Sequence, residues 1–173
     1  EVNALSAQLQ SEIAANTTRI EHAGRHMMQE FKGQRFADLA RNVVEIIDRN
    51  LYERSCDVRW WATDSAVVGV LQQRTEESRA YACERLATIL RSYTVYLDLW
   101  VADRNGRVVA TGRGNKFPAA IGQDVSDTEW FKSGMRTKNG DDFAVCDITR
   151  NGTLGNAQVA TYSTAIRKGG AVD

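Results

Sequence analysis

Proline is nearly missing: Pro118 is the only one in 173 residues, so before it no residue obliges a helix to stop. Cysteine is scarce as well. Cys56, Cys83 and Cys146 lie far from any C-x-x-C spacing, which excludes a zinc ribbon and the covalent haem attachment motif C-x-x-C-H. The spacing allows a bridge between Cys56 and Cys83 in an oxidising compartment, and equally allows free thiols acting as small hydrophobes, with Cys146 the odd one in either case. Charge of one sign is lacking, since 22 Lys and Arg balance 22 Asp and Glu. No basic cluster is interleaved with aromatics either, so a nucleic-acid partner is not expected. No run of about 18 apolar residues marks a membrane span, and no signal or transit peptide is visible. Histidine is limited to His22 and His26. With no G-x-S-x-G, no H-E-x-x-H and no phosphate-cradling glycine loop, the chain reads as a non-enzyme: no catalytic residues, no metal, no cofactor.

What is present begins with helix. Val2, Leu5, Leu9, Ile13, Ile20, Ala23, Met27 and Phe31 recur at steps of three and four, with a polar interruption at Asn16. The stripe is read as continuing through Phe36, Leu39, Val43, Ile46, Ile47 and Leu51. Gly24 and Gly33 weaken it by about 1 kcal/mol each without ending it. At about 1.5 Å per residue such a helix is longer than a small domain is wide. One end is expected to project and pair with another copy, making the chain a homodimer. The opening at Glu1 without a Met is expected to be the start of an excised segment. His22, His26 and Glu30 share one helix face; solvated histidines are the reading that so common a spacing favours over a metal stripe.

From Tyr52 to Ala66 the chain is densest in aromatics and charge, with Trp60 and Trp61 about 100° apart and read as core aromatics on different surfaces. Asp64-Ser65 ahead of Ala66-Val67-Val68-Gly69-Val70-Leu71 reads as a helix restart with a capping residue. Thr75, Glu76, Glu77 and Ser78 open another that runs to Tyr93. Val95, Leu97, Leu99 and Val101 then alternate with Tyr96, Asp98, Trp100 and Ala102, the period of a half-buried strand. Asp103-Arg104-Asn105-Gly106 supplies turn chemistry, and Arg107 to Thr111 resumes a strand, giving a hairpin. A short helix is expected from about Asp127 to Arg136, a third strand around Phe143, Val145 and Ile148, and a fourth from Val159 to Ile166. Residues 1–92 are therefore a helical region and 93–173 a sheet module, together one domain of the α+β class.

The ordered set "LDLWVADRNGRVVATG", "GQDVSDTEWFKSG", "FAVCDI" and "VATYSTAIRKGG" behind a long leading helix resembles the Cache family of sensor domains. These are also called PDC domains, extracytoplasmic PAS-like modules of bacterial chemoreceptors, sensor kinases and cyclic-dinucleotide enzymes. The resemblance covers essentially the whole chain, most strongly Asp98 to Gly170. It implies a PAS-like antiparallel sheet with flanking helices, and a small-molecule pocket between the sheet and the segment containing Trp130. Family members add a central strand after the Gly169-Gly170 turn; no such strand is legible before Asp173.

The residues fit a pocket in their own right. Trp100, Trp130, Phe131 and Tyr162 are aromatic positions on the strands or their covering segment, and Asp147 stands at a strand end. Aromatic walls with one placed charge are the usual make-up of a small-ligand site, and a carboxylate suits an ammonium group. In amino-acid-binding Cache members an Arg two residues before the Trp holds the ligand carboxylate, and an Asp matching Asp147 holds its amine. Here Thr128 occupies that Arg position, which points to an amine, a carboxylate held by backbone amides, or another small solute. Arg150 and Arg167 fit solvated or ion-paired surface. The resemblance thus implies the periplasmic input domain of an inner-membrane receptor, anchored by segments outside this chain. A chemoreceptor is the favoured parent, and a histidine kinase or diguanylate cyclase the alternative. A ligand-less dimerisation module is the reading from another class.

Overall fold

The structure, a computed structural model, describes residues 2–168 and 171–172. Its class is α+β, and the chain divides into two compact units, Glu1–Asn50 and Leu51–Asp173. Helix α1, Val2–Trp61, crosses that division without a break; the absence of proline before position 118 allows this.

Every side chain from Val2 to Asn50 is exposed. Bonds there run along the helix, such as Thr17 Oγ1 donating to the Ile13 carbonyl at 2.9 Å and Thr18 Oγ1 to that of Ala14 at 3.0 Å. The single stripe expected from the sequence is in fact two. At about 100° per residue, the positions from Leu5 to Phe31 stay on one side, but the five-residue step from Phe31 to Phe36 advances about 140°. Phe36, Leu39, Val43 and Ile47 consequently occupy the opposite side of α1.

In the second unit the last turns of α1 bury Ser55. Asp64 caps α2 (Ser65–Gln73) by accepting from the Ala66 N–H, and its other oxygen accepts from Arg85 Nε at 2.8 Å on α3. That helix, Glu76–Ser92, opens with a reciprocal capping box between Thr75 and Ser78. Val67, Val70 and Leu71 of α2 pack with Ala82 and Leu86 of α3 against Val101 and Ala110. Those last two belong to an antiparallel hairpin of β1 (Trp100–Ala102) and β2 (Val108–Thr111). At its turn Asp103 Oδ1 accepts from the N–H groups of Asn105 and Arg107, both at 2.9 Å. Gly106 sits at φ 77°, where a Cβ would come within 2.5 Å of the Ser126 backbone.

A short 3-10 turn, Pro118–Ala120, carries Phe117 and Ala120 into a second core with Leu154, flanked by Leu97, Trp100 and Val159. Helix α4 (Glu129–Met135) lies on a hairpin of β3 (Ala144–Asn151) and β4 (Ala157–Ser163). Gly134 permits this approach, since a Cβ there would lie 3.1 Å from the Ser163 side chain.

Four sequence expectations are corrected. Strand β1 begins at Trp100 rather than Val95, because Asp98 takes the Leu99 N–H at 2.8 Å into its side chain. The single sheet is instead three two-stranded hairpins among the described residues, the third joining β5 (Arg167–Lys168) to β6 (Ala171–Val172). Part of the reason is that loop 122–124 pairs along the free edge of β2: Val108 donates to the Gln123 carbonyl and Gly122 donates to that of Val108. β6 is a strand before Asp173 that the sequence reading did not find; the expected turn at Gly169-Gly170 lies outside the described residues. Trp60, expected in the core, is 69% exposed.

Gly106→Ala is expected to lower unfolding stability by about 2 kcal/mol or more in urea titrations, from combined left-handed strain and backbone clash. Gly152→Ala, where a Cβ meets nothing within 4 Å, should stay within about 0.5 kcal/mol of the parent.

Candidate functional site

The candidate site is organised by Asp98, whose two oxygens each accept two donors. Oδ1 accepts from the Leu99 and Arg113 N–H groups at 2.8 and 3.0 Å. Oδ2 accepts from Trp100 Nε1 at 2.8 Å and from Thr111 Oγ1 at 2.6 Å. One carboxylate thereby pins the start of β1, the end of β2 and the indole of Trp100. With that ring fixed, Trp100 meets Trp130 edge-on at 6.4 Å between centroids, and Trp130 meets Phe131 at 6.2 Å. All three aromatics are half-buried.

Opposite them lies the inner face of the β3–β4 hairpin. Ser163 is buried there and donates to the Trp130 carbonyl at 2.8 Å, and Val159 joins the core around Trp100. Cys146 pairs with Thr161 across the ladder on this face. Burial, helped by the negative charge of Glu129, pushes the Cys146 thiol above its usual range. All three cysteines are free.

Of the predicted residues, Trp100, Trp130 and Phe131 are brought together. Thr128 stands at the N-terminal cap of α4, its hydroxyl committed to the Val125 carbonyl at 2.6 Å. Tyr162 is not part of this cluster. Adjacent strand residues point to opposite faces, so with Ser163 turned inward Tyr162 lies outward, stacked on Phe143 at 6.4 Å. Asp147 lies within β3 and not at its end, in the register shift between Cys146 and Thr149. It is exposed, and Oδ1 accepts from the Ile148 N–H at 2.7 Å.

Sequence reasoning missed a second, polar group at the end of α1. The Arg59 guanidinium lies over the Phe143 ring at 5.6 Å and donates to the Asp141 carbonyl at 3.1 Å. Tyr96 donates to Asp57 Oδ2 at 2.5 Å, with Arg54 4.9 Å from the Tyr96 ring centroid and Trp61 packed edge-on at 4.9 Å. The signal was the charge flanking Val58, beside two indoles. Burial foremost, then the Asp57 carboxylate, raises the Tyr96 hydroxyl well above a normal tyrosine.

On α1, His26 Nδ1 lies 3.5 Å from Glu30 Oε1, both exposed. A concavity lined by residues including His22, His26 and Glu30 is one side of a single helix without a facing wall. No group of three or more His, Cys, Asp or Glu side chains suited to a metal occurs among the described residues, nor a helix long and apolar enough to cross a membrane. The chain matches no family model, no curated protein and no solved structure.

Asp98→Ala should cost about 2–4 kcal/mol in urea titrations, because four donors lose one shared acceptor. Shifted tryptophan emission should report release of Trp100. Tyr96→Phe should cost about 1.5–3 kcal/mol at neutral pH, the worth of a hydrogen bond to a charged group. Since folding raises this pKa, the tyrosine's contribution is intact below about pH 10 and is lost as pH climbs above it. Thermal melts from pH 8 to 11 should therefore fall less steeply for Tyr96→Phe than for the parent.

Proposed function

We propose that this chain is a Cache-type extracytoplasmic sensor domain that binds a small solute and passes the event to a signalling output through α1. The chemoreceptor is the favoured parent. The carrying observation is the Trp100–Trp130–Phe131 cluster, three half-buried rings facing the inner surface of a two-stranded hairpin. Trp100 is fixed through Asp98, and the other two ride on the short helix α4. A fixed wall opposite a small element is an arrangement in which a ligand can favour one placement of α4 over another. The long helix pairs two copies in this reading, with the membrane anchors in segments outside the chain.

A physical route supports the coupling. Tyr162 on β4 stacks on Phe143, and Phe143 lies under Arg59 in the last turns of α1. A shift of the hairpin on ligand binding would therefore change contacts on α1 directly. Such a device responds only by the ligand's differential affinity for the two placements. Thr128 and Asp147, one committed to a local bond and the other exposed at the bulge, do not form the paired anchors that a free amino acid needs. An amine or another small solute held mainly by the aromatic wall fits better.

The test is a thermal-shift screen against amines, carboxylates, amino acids and purines. A ligand of the folded state present at about a hundred times Kd adds about 2.7 kcal/mol, several degrees in Tm for a domain of this size. One chemical class should raise Tm, and Trp130→Ala should abolish the rise. A flat response to every class would overturn the sensor reading.

A further inference from the structure

We infer that Asn139–Gly140, in the turn between α4 and β3, is a site of spontaneous amide-to-acid conversion, and that the Arg167 guanidinium promotes it. The inference stands apart from the sensor reading and does not rest on it.

The chain holds three Asn-Gly steps: Asn105–Gly106, Asn139–Gly140 and Asn151–Gly152. In such a step the glycine nitrogen attacks the asparagine side-chain carbonyl carbon, unhindered because glycine carries no Cβ. At Asn139 a bond forms from Gly140 N to Asn139 Cγ, and the bond from Cγ to the side-chain nitrogen breaks. The proton lost from the Gly140 N–H ends on that nitrogen, which leaves as ammonia. Water then opens the cyclic imide at either carbonyl, giving aspartate or isoaspartate. Nothing is oxidised or reduced.

The structure separates the three steps. Gly106 is buried and donates its N–H to the Asp103 carbonyl at 2.9 Å. Asn151 is half-buried, and its side-chain oxygen accepts from the N–H groups of Thr153 and Leu154 at 3.0 and 3.2 Å, with Leu154 anchored in the second core. Asn139 and Gly140 are both exposed. The Gly140 N–H has no hydrogen-bond partner among the described residues, and a Cβ at Gly140 would meet nothing within 4 Å. The Asn139 side chain is held by one bond, Oδ1 accepting from the Asp141 N–H at 2.9 Å.

Arg167 supplies the activation. Attack requires Gly140 N to give up its proton, which spreads negative charge over the peptide group it shares with the Asn139 carbonyl. Arg167 Nη1 donates to that carbonyl oxygen at 3.2 Å and to the Ala165 carbonyl at 3.0 Å, while Nη2 donates to the Thr137 carbonyl. A cationic donor aimed where charge develops stabilises the anion more than the neutral peptide. The Asn151 carbonyl instead accepts from the neutral N–H groups of Leu154 and Asn156. The product has a structural consequence. Isoaspartate adds a carbon to the backbone between Asn139, held by Arg167, and Asp141, whose carbonyl accepts from Arg59 on α1, so conversion loosens that tie.

The experiment incubates the whole chain at mildly alkaline pH, digests it, and follows the peptide carrying each Asn-Gly step by mass spectrometry, with the acid isomers separated. The Asn139 peptide should convert several-fold faster than either of the others. Arg167→Gln, its melting checked against the parent, should slow conversion several-fold, the worth of a hydrogen bond from a charged group. Gly140→Ala, which has room for its Cβ, should keep the fold and suppress conversion. Unfolding the parent in urea removes the Arg167 contact without any substitution; it should slow conversion at Asn139 and speed it at Asn105 and Asn151. Conversion at Asn105 or Asn151 as fast as at Asn139 in the folded chain would overturn the inference. So would an unchanged or faster rate in Arg167→Gln, a parental rate in Gly140→Ala, or faster conversion of Asn139 in urea.

Discussion

The compact unit depends on one carboxylate taking four hydrogen bonds. Asp98 binds two backbone N–H groups, an indole and a hydroxyl, so β1 starts only after it, the following hairpin closes and an aromatic ring is aimed, all from a single side chain. A carboxylate suits this place because it is acceptor-only and carries about four lone-pair sites. An amide would turn one of its donors toward groups that are themselves donors. Bonds to an ionised acceptor are also stronger than neutral ones. The node thus links β1 and β2 where the ladder itself is only a few residues long, and it converts local backbone accounting into the placement of Trp100.

From that fixed point the aromatic contacts run in two directions. Inward, Trp100 meets Trp130, which in turn meets Phe131, on a seven-residue helix, an element short enough that tertiary packing, not helix propensity, holds it in place. Outward, the other face of the hairpin carries Tyr162, Phe143 and Arg59 in a stack that ends on α1. The two-residue alternation of β4 is what separates these roles: Ser163 closes against α4 while its neighbour Tyr162 stacks on Phe143.

The parts of the fold legible in sequence were those fixed by local chemistry. The long helix, the Asp64 cap, the Thr75–Ser78 capping pair and the Asp103–Gly106 turn depend on residues within a few positions of one another, and all are present. What failed depends on long-range pairing. Alternation from Val95 onward looked like strand, yet whether it pairs is decided by where Asp98 sends its oxygens. A loop along the edge of β2 cannot be foreseen from the loop's own composition. The six site residues divided for the same reason: three aromatics converge, while a register shift exposes Asp147 and strand parity turns Tyr162 away. Arg59 and Tyr96 stayed hidden because their partners lie dozens of positions distant.

Helix α1 inverts the usual distribution of side chains along its length. Its final turns, which belong to the compact unit, are held by Arg54, Asp57 and Arg59 with Trp61, a mainly polar and aromatic set. The stretch before Asn50 carries leucine, isoleucine, methionine and phenylalanine exposed on its surface. Scattered exposed apolar residues are ordinary on a surface, but continuous stripes are not. An isolated helix gains nothing in water by aligning such residues, since propensity alone would favour alanine and charged positions there. The alignment becomes stabilising only when another apolar surface covers it, at about 25 cal/mol for each Å² removed from water. The two stripes turn to opposite sides at the step between Phe31 and Phe36, so a single straight surface that covered one would leave the other in water.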